Sequence, residues 1–192
     1  MNTIFISTYD NLITIGLIQN DRLIGEENQP SERSHAEHLL PLVDGILQKN
    51  RLTIKDLTEI IVVNGPGSFT GVRLGVTVTK TLSFCLKIPI KIISTNEALA
   101  ISNGLVDKKI ISINDPKGKY YGIFENNKLL DELDYLSNEK FADFISNNPN
   151  LLIVSNQKLD ILAIYHHLKD RPPINPHLVN PVYIKQIEVQ NG

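Results

Sequence analysis

A glycine-rich segment between two apolar stretches constrains this 192-residue chain more than any other feature. Residues 60–63 read Ile-Ile-Val-Val, a run typical of a strand that is buried on both faces. Residues 65–71, Gly-Pro-Gly-Ser-Phe-Thr-Gly, follow and open a helix that we expect to continue to about Leu86, before Pro89. A strand, a tight turn and a helix in this order are typical of an α/β protein.

Two interpretations of the turn follow from its residue types. Backbone N–H groups in such a turn, at the positive end of a helix dipole, can bind an anion such as phosphate. Alternatively, the glycines let the strand, the turn and the helix pack closely. The spacing matches neither a Walker A loop nor Gly-x-Gly-x-x-Gly. The residues that would form the anion site are Gly65, Gly67, Ser68, Thr70 and Gly71.

The helix after the turn is apolar almost all round. Its polar stripe is narrow and contains Arg73, Thr77 and Lys80, while most other positions are apolar or small. A helix of this kind has to be covered on nearly all sides. A sheet covers one side, so another helix or another chain must cover the rest.

Residues 34–48 supply a second helix with a broad apolar face. Ser34 and Glu37 form a capping box, and apolar residues then recur every three or four positions. We expect Pro41 to kink or restart this helix. The two helices can form half of an intermolecular four-helix bundle, or both can be core of this chain. The residues predicted for a partner interface are Leu39, Leu40, Val43, Ile46, Leu47, Val72, Gly75, Val76 and Leu82.

The chain as a whole reads as an α/β duplication. Three short strands precede the first helix, and another strand and helix follow the glycine-rich unit. Residues 105–192 repeat this pattern more weakly and end in a proline-rich tail. We therefore predict an N-terminal domain over residues 1–104 and a smaller α/β domain over residues 105–192.

Composition narrows the functional classes. The hydrophobic fraction of 42% and the charged fraction of 21% are those of an ordinary globular protein. The net charge of −2 lacks the basic excess of most nucleic-acid-binding domains. No apolar run has the length of a membrane helix and no signal peptide is recognisable, so we expect a cytoplasmic protein. The single cysteine, Cys85, excludes an internal disulfide, and we expect it to be buried.

Catalytic and metal-binding patterns are weak. Ser68 lies in a strand-to-helix turn, but the Gly-x-Ser-x-Gly pattern is not met and the sequence pairs no base with it. His35 and His38 have a spacing at which two ligands can share a metal, yet no third ligand is identifiable. We therefore assign no catalytic residue and no metal ligand.

Residues 65–75, GPGSFTGVRLG, resemble a signature of the TsaB family, which is also called YeaZ. Asp115, Lys117 and Tyr120 fall where the family has Asp-Ala-Arg and Val-Tyr, with lysine in place of arginine. The resemblance covers nearly the whole chain and is strongest in the first half. Further stretches that resemble the family are residues 34–41 (SHAEHLLP), 88–89 (IP), 94–100 (STNEALA) and 181–185 (PVYIK).

The resemblance implies a duplicated fold of the actin, Hsp70 and sugar-kinase class (ribonuclease H-like) with a reduced second domain. It also implies a non-catalytic protein that pairs through its helices with TsaD, or with itself as a homodimer when alone. TsaD transfers a threonylcarbamoyl group to an adenosine beside the tRNA anticodon, and the ATPase TsaE joins the pair. By this resemblance, tRNA is reached only through the complex, and ATP and a metal belong to the partner subunits.

The chain departs from the family at the end of its first strand. Ser7, Thr8 and Tyr9 stand where the family has Asp-Thr-Ser. In active members of this fold class a carboxylate at that turn organises Mg²⁺, and a serine cannot replace it. Residues 105–192 also contain no second glycine-rich phosphate loop. An alternative, a small ATPase or hydrolase that uses the turn at residues 65–71, therefore lacks parts that phosphoryl transfer needs.

Overall fold

Five strands form a first sheet in the order β3-β2-β1-β4-β5. The structure is a computed structural model that describes residues 1–30, 35–105, 108–155 and 158–184. The strand β1 pairs antiparallel with β2, which pairs antiparallel with β3, whereas β4 and β5 run parallel to β1. Almost every side chain of β1, β2 and β4 is buried, as in sheets covered on both faces. The bounds are β1 Asn2–Ser7, β2 Leu12–Gln19, β3 Arg22–Pro30, β4 Glu59–Val63 and β5 Ile90–Ile93.

Two helices, α1 (His35–Lys49) and α2 (Phe69–Leu86), pack against this sheet and against each other. The helix α2 lies on β1, β4 and β5, and α1 lies on β2 and β3. The helix α1 does not restart at Pro41, because it runs through this residue without interruption. Pro41 is exposed, so water can satisfy the carbonyl group that lacks its N–H donor. Ser34, the predicted cap of this helix, lies outside the described residues.

The second sheet repeats the pairing of the first one in reduced form. Its order is β10-β6-β7-β8, and β9 pairs with another part of β7. The strand β6 pairs antiparallel with β7 and parallel with β10, just as β1 pairs with β2 and β4. No counterpart of β5 is found in the described part of the chain. The bounds are β6 Lys109–Asp115, β7 Gly118–Glu125, β8 Lys128–Leu129, β9 Asp134–Ser137 and β10 Leu152–Ser155.

Two further helices, α3 (Thr95–Ser102) and α5 (Ile161–Leu168), join the two sheets, and α4 (Asn138–Ser146) packs on β7 and β9. The helix α3 contacts the second sheet and α5, and α5 reaches the first sheet. A β-carbon on Gly16 would meet Ile161 of α5, whereas one on Gly25 would meet Ile46 of α1. Gly25 pairs with Leu17, the residue after Gly16 in β2. Because successive residues of a strand point to opposite faces, α1 and α5 lie on opposite faces of the first sheet.

A buried lysine anchors the end of α3. The Lys109 ammonium group donates to the carbonyl oxygens of Ala100 and Gly104, each at 2.5 Å, and to Asn127 Oδ1 at 2.8 Å. The side chain is fully buried, and this burial lowers the pKa of its ammonium group. The positive charge therefore lies at the carbonyl end of a helix, where the helix dipole favours it.

The C-terminal part of the described chain returns to the first sheet. Ile174 forms a bridge with Ile90, and Lys80 Nζ of α2 donates to the carbonyl oxygen of Val179 at 2.9 Å. These residues belong to the segment 105–192 in sequence, and they contact β5 and α2 of the first half. A proline-rich segment has no hydrophobic period, so the sequence carried no signal for this path. None of the helices within the described ranges has the length and apolar character to span a membrane.

Candidate functional site

An open cleft of about 1990 Å³ lies between residues of the two halves. Its walls come from the β1–β2 turn, the glycine-rich turn, the end of β6, the strand β9 and residues 182–184. The strands β1, β4 and β6 all end at this edge. In α/β folds, ligands bind in crevices at the carboxyl ends of parallel strands, so the cleft is the candidate ligand site.

The glycine-rich turn forms hydrogen bonds with other residues of the same chain. The N–H group of Ser68 donates to the carbonyl oxygen of Tyr9 at 2.6 Å. The Ser68 hydroxyl caps α2 by accepting from the Gly71 N–H group at 3.2 Å. The Thr8 hydroxyl donates to the Gly71 carbonyl oxygen at 2.7 Å. Two N–H groups of the turn thus have partners inside the protein, and neither supports the interpretation of the turn as an anion site.

Three glycines of this region are explained by close packing against the end of β1. A β-carbon on Gly67 would lie within 3.0 Å of the Tyr9 carbonyl oxygen, and one on Gly71 within 3.0 Å of the Thr8 carbonyl oxygen. A β-carbon on Gly75 would collide with the Thr8 hydroxyl. The backbone that approaches Gly67 and Gly71 is therefore the segment directly after β1.

The acidic groups of the cleft are engaged in hydrogen bonds. Asp10 Oδ1 accepts from the Leu12 N–H group at 2.9 Å, and Asp115 Oδ1 accepts from the Tyr135 hydroxyl at 2.9 Å. Ser7, at the position of the family's aspartate, is buried. Burial and the Asp10 carboxylate raise the pKa of the Tyr9 phenol, which is therefore neutral at physiological pH. Within the described part of the chain, no three acidic, histidine or cysteine side chains are grouped to hold a metal ion.

Arg73 stands at the mouth of the cleft and is held by two aromatic residues. Its guanidinium carbon lies 3.5 Å from the centroid of the Phe69 ring, and its Nε donates to the Tyr183 hydroxyl at 2.6 Å. This arrangement combines a cation–π contact with a hydrogen bond. The sequence placed Arg73 on a polar stripe, but it contained no signal that residue 183 would lie beside it.

Seven of the nine residues predicted for a partner interface are buried within the chain itself. Six of their side chains belong to the apolar core, and Gly75 is buried within α2, so none of the seven can contact another chain in this conformation. Hydrophobic periodicity identifies the covered face of a helix but not the element that covers it. The residues to which this correction applies are Leu39, Val43, Ile46, Leu47, Val72, Gly75 and Val76.

The remaining two predicted residues are accessible. Leu40 of α1 is 47% exposed, and Leu82 of α2 is half-buried. Leu74 and Val78 are also half-buried and lie on the same side of α2 as Leu82, at four-residue spacing. Cys85, which the sequence predicted to be buried, is exposed in the last turn of α2. We call Leu40, Leu74, Val78 and Leu82 the outer apolar residues of the helix pair.

Comparison with known proteins finds relatives whose descriptions agree with one another. A family model described as "TsaD: tRNA N6-adenosine threonylcarbamoyltransferase" matches residues 28–118. The tRNA threonylcarbamoyladenosine biosynthesis protein TsaB of Bacillus subtilis is 34% identical over 148 residues, which are 76% of this chain and 65% of that protein. The TsaB of Buchnera aphidicola is 32% identical over 118 residues, 59% of this chain and 56% of that protein. The matches thus span less than two thirds of these relatives.

Solved structures share the fold over nearly the whole chain. YeaZ from Pseudomonas aeruginosa superposes with a TM-score of 0.78 and 19% identity, covering 95% of this chain and 100% of that one. A Pseudomonas aeruginosa protein described as similar to peptidase YeaZ superposes with a TM-score of 0.80 and 19% identity, covering 96% and 99%.

The duplicated pairing pattern and the cleft between its two copies define a protein of the actin, Hsp70 and sugar-kinase class, as the sequence predicted. The fold is that of the two Pseudomonas structures. Within this class, the chain is similar in sequence to proteins of the TsaB/YeaZ family.

Proposed function

We propose that this chain is a non-catalytic partner of TsaD in the biosynthesis of threonylcarbamoyladenosine in tRNA. The observation that carries the proposal is the closed glycine-rich turn, which bonds to the end of β1 through the Ser68 N–H group and the Tyr9 carbonyl oxygen. A turn whose N–H groups bond to the protein itself is suited to stabilise the fold rather than to bind a triphosphate. Similarity to the TsaB proteins supports a role in this pathway.

The side chains at this edge support the non-catalytic role. Ser7 is buried and is not a carboxylate, so it supplies no ligand for Mg²⁺. The hydroxyl of Ser68 caps α2, and a nucleophile would need a general base beside it instead. The chemistry of the modification then belongs to TsaD, and ATP and metal binding belong to the partner subunits.

The match to the family model described as TsaD supports a docking surface on the helices α1 and α2. The matched residues 28–118 contain both α1 and α2. Two proteins that carry the same helix pair can associate about an approximate two-fold axis, with equivalent surfaces facing each other. The outer apolar residues, with Leu40 the most exposed of them, are the side chains that such a contact would bury. The same surface would form a homodimer in the absence of TsaD, and TsaE and tRNA would join the complex with TsaD.

The test is size-exclusion chromatography with light scattering on the chain mixed with TsaD from the same organism. We expect a one-to-one complex that Leu40→Asp disrupts and that Leu130→Asp leaves intact. Leu130 is a matched control because it is 48% exposed, close to the 47% of Leu40, and lies just after β8 in the second sheet. Circular dichroism must show both variants folded. A missing complex, or one that both variants leave intact, contradicts the proposal.

A ligand-binding or hydrolytic function of the cleft is the second candidate. The size and position of the cleft favour it. Gly65, Gly67 and Thr70, the remaining residues of the predicted anion site, are part of this turn, and Gly67 lines the cleft. Turnover of ATP by the isolated chain that Ser68→Ala abolishes would support this candidate and contradict the non-catalytic role.

A further inference from the structure

Two adjacent residues at the start of α3 carry buried polar atoms without a hydrogen-bond partner among the described residues. These atoms are Thr95 Oγ1 and Asn96 Oδ1. Both residues are 0% exposed. A buried polar atom that is left without a partner costs about 1–3 kcal/mol, and folded proteins retain few of them. Two such atoms on neighbouring residues indicate a site for a small polar ligand.

The surroundings of these two residues join the two halves of the fold. The Thr95 N–H group donates to the Gly65 carbonyl oxygen of the glycine-rich turn at 2.8 Å. Asn96 Nδ2 donates to the Ile111 carbonyl oxygen of β6 at 3.4 Å. The first residues of α3 therefore contact the first half through one bond and the second half through the other.

The environment at this junction is polar. Asn64 is buried, and its N–H group donates to the carbonyl oxygen of Ile93 at 3.0 Å. Ile93 stands two residues before Thr95 in the chain. Ser112, the neighbour of Ile111, is also buried. A cavity with polar walls holds ordered water, whereas apolar cavities of similar size stay dry.

The two oxygen atoms disfavour an anionic ligand. A threonine hydroxyl can both donate and accept, and an amide oxygen accepts two hydrogen bonds. The dipole of α3 already has a partner, because the Ser94 hydroxyl caps the helix by accepting from the Glu97 N–H group at 3.2 Å. An anion would meet the Asn96 amide oxygen, which repels it.

We propose that an ordered water molecule is bound at the start of α3 and is a structural part of the junction between the two halves. It donates to Asn96 Oδ1 and forms a second hydrogen bond with Thr95 Oγ1. The water satisfies both atoms, whose residues contact the glycine-rich turn and β6 through their own N–H groups. It leaves neither oxygen atom unpaired, independently of any role with TsaD.

The substitution Thr95→Val separates a hydrated site from an empty one by the sign of its effect. Valine has nearly the shape of threonine but forms no hydrogen bond. If water is bound, the variant loses a bond and Tm falls by about 2–4 °C, the shift that ~1 kcal/mol produces in a chain of this size. If the hydroxyl is unpaired, its removal relieves a penalty and Tm rises. A rise contradicts the proposal.

Thr79→Val is the matched control. Thr79 is also 0% exposed, but its hydroxyl donates to the Gly75 carbonyl oxygen at 2.8 Å. Its removal loses a hydrogen bond that is already present, so Tm falls by a similar amount. A fall for Thr79→Val together with a rise for Thr95→Val overturns the proposal.

A crystal structure of the unsubstituted protein at about 1.8 Å resolution tests the site even if Thr95→Val fails to fold. We expect a density peak about 2.7–3.2 Å from Thr95 Oγ1 and from Asn96 Oδ1, the range of ordinary hydrogen bonds. Continuous density from a protein side chain at this place, or an empty site, contradicts the proposal.

Discussion

The carbonyl oxygen of Thr8 lies within 3.0 Å of the place where a β-carbon on Gly71 would stand. The Thr8 hydroxyl also donates to the carbonyl oxygen of Gly71 at 2.7 Å. The end of β1 and the start of α2 therefore touch through their backbones. In this protein the glycine-rich turn brings the strand and the helix together, and the cleft lies beside this contact.

We expect Gly71→Ala to destabilise the protein by about 1–3 kcal/mol, because the added methyl group forces the strand and the helix apart. Gly45→Ala is the control, since a β-carbon there meets nothing within 4 Å. Alanine favours a helix over glycine, so Gly45→Ala should stabilise the protein by up to about 1 kcal/mol. Urea unfolding measures both changes. Equal effects of the two substitutions would show that the contact with Thr8 is unimportant.

A buried ion pair between Lys91 and Glu59, 2.9 Å apart, predicts a non-additive result. Both side chains are less than a tenth exposed, and Thr3 also donates to the Glu59 carboxylate. Lys91→Met leaves a buried charge unpaired and should cost about 3–5 kcal/mol. Adding Glu59→Leu should recover most of this loss, because the unpaired charge is then removed. A double-mutant cycle in urea checks this, and additive losses would contradict it.

The ionisation of Asp21 should make part of the free energy of unfolding depend on pH in the acid range. The hydrogen bond from Lys169, and next the one from the Tyr165 hydroxyl, hold the pKa of the Asp21 carboxyl below its usual value of 3.8. Its ionised form is therefore favoured in the folded state. This stabilisation is present above pH 3.8 and is lost as the pH falls through the lower folded pKa.

The corresponding measurement is the Tm of the protein and of Asp21→Asn as a function of pH. The difference between the two should be constant near neutral pH and should shrink in acid. Asparagine suits this position, which has a left-handed backbone with a φ of 63°. A difference that does not change with pH would rule out the proposed role of the carboxylate.

The contacts of Tyr183 should determine how strongly the C-terminal segment of the described chain is protected from hydrogen exchange. Tyr183→Ala removes both the hydrogen bond from Arg73 and the adjacent ring, so we expect faster hydrogen exchange at the Val182 N–H group. That group donates to the Asn64 carbonyl oxygen at 2.8 Å. Tyr183→Phe keeps the ring and should give an intermediate rate. Unchanged exchange in both variants would show that other contacts hold the segment.

The sequence predicted most elements of the fold. The buried run at residues 60–63 and the helix after the glycines are confirmed. The strand β9 was missed, because its four residues include two that are polar. At the candidate site, the sequence identified the turn but not its contacts with Thr8 and Tyr9. Those contacts join residues about 60 positions apart, which no local pattern records.

Local patterns in the sequence by themselves determined where helices and strands begin, which faces are apolar and where glycine is required. These properties depend on periodicity and on side-chain shape within a few residues. Only the tertiary structure decided that the first sheet covers Val76, that the segment around Tyr183 holds Arg73, and that Leu40 stays exposed. Hydrophobic burial has no direction, so an apolar face is satisfied by whichever surface the chain brings to it.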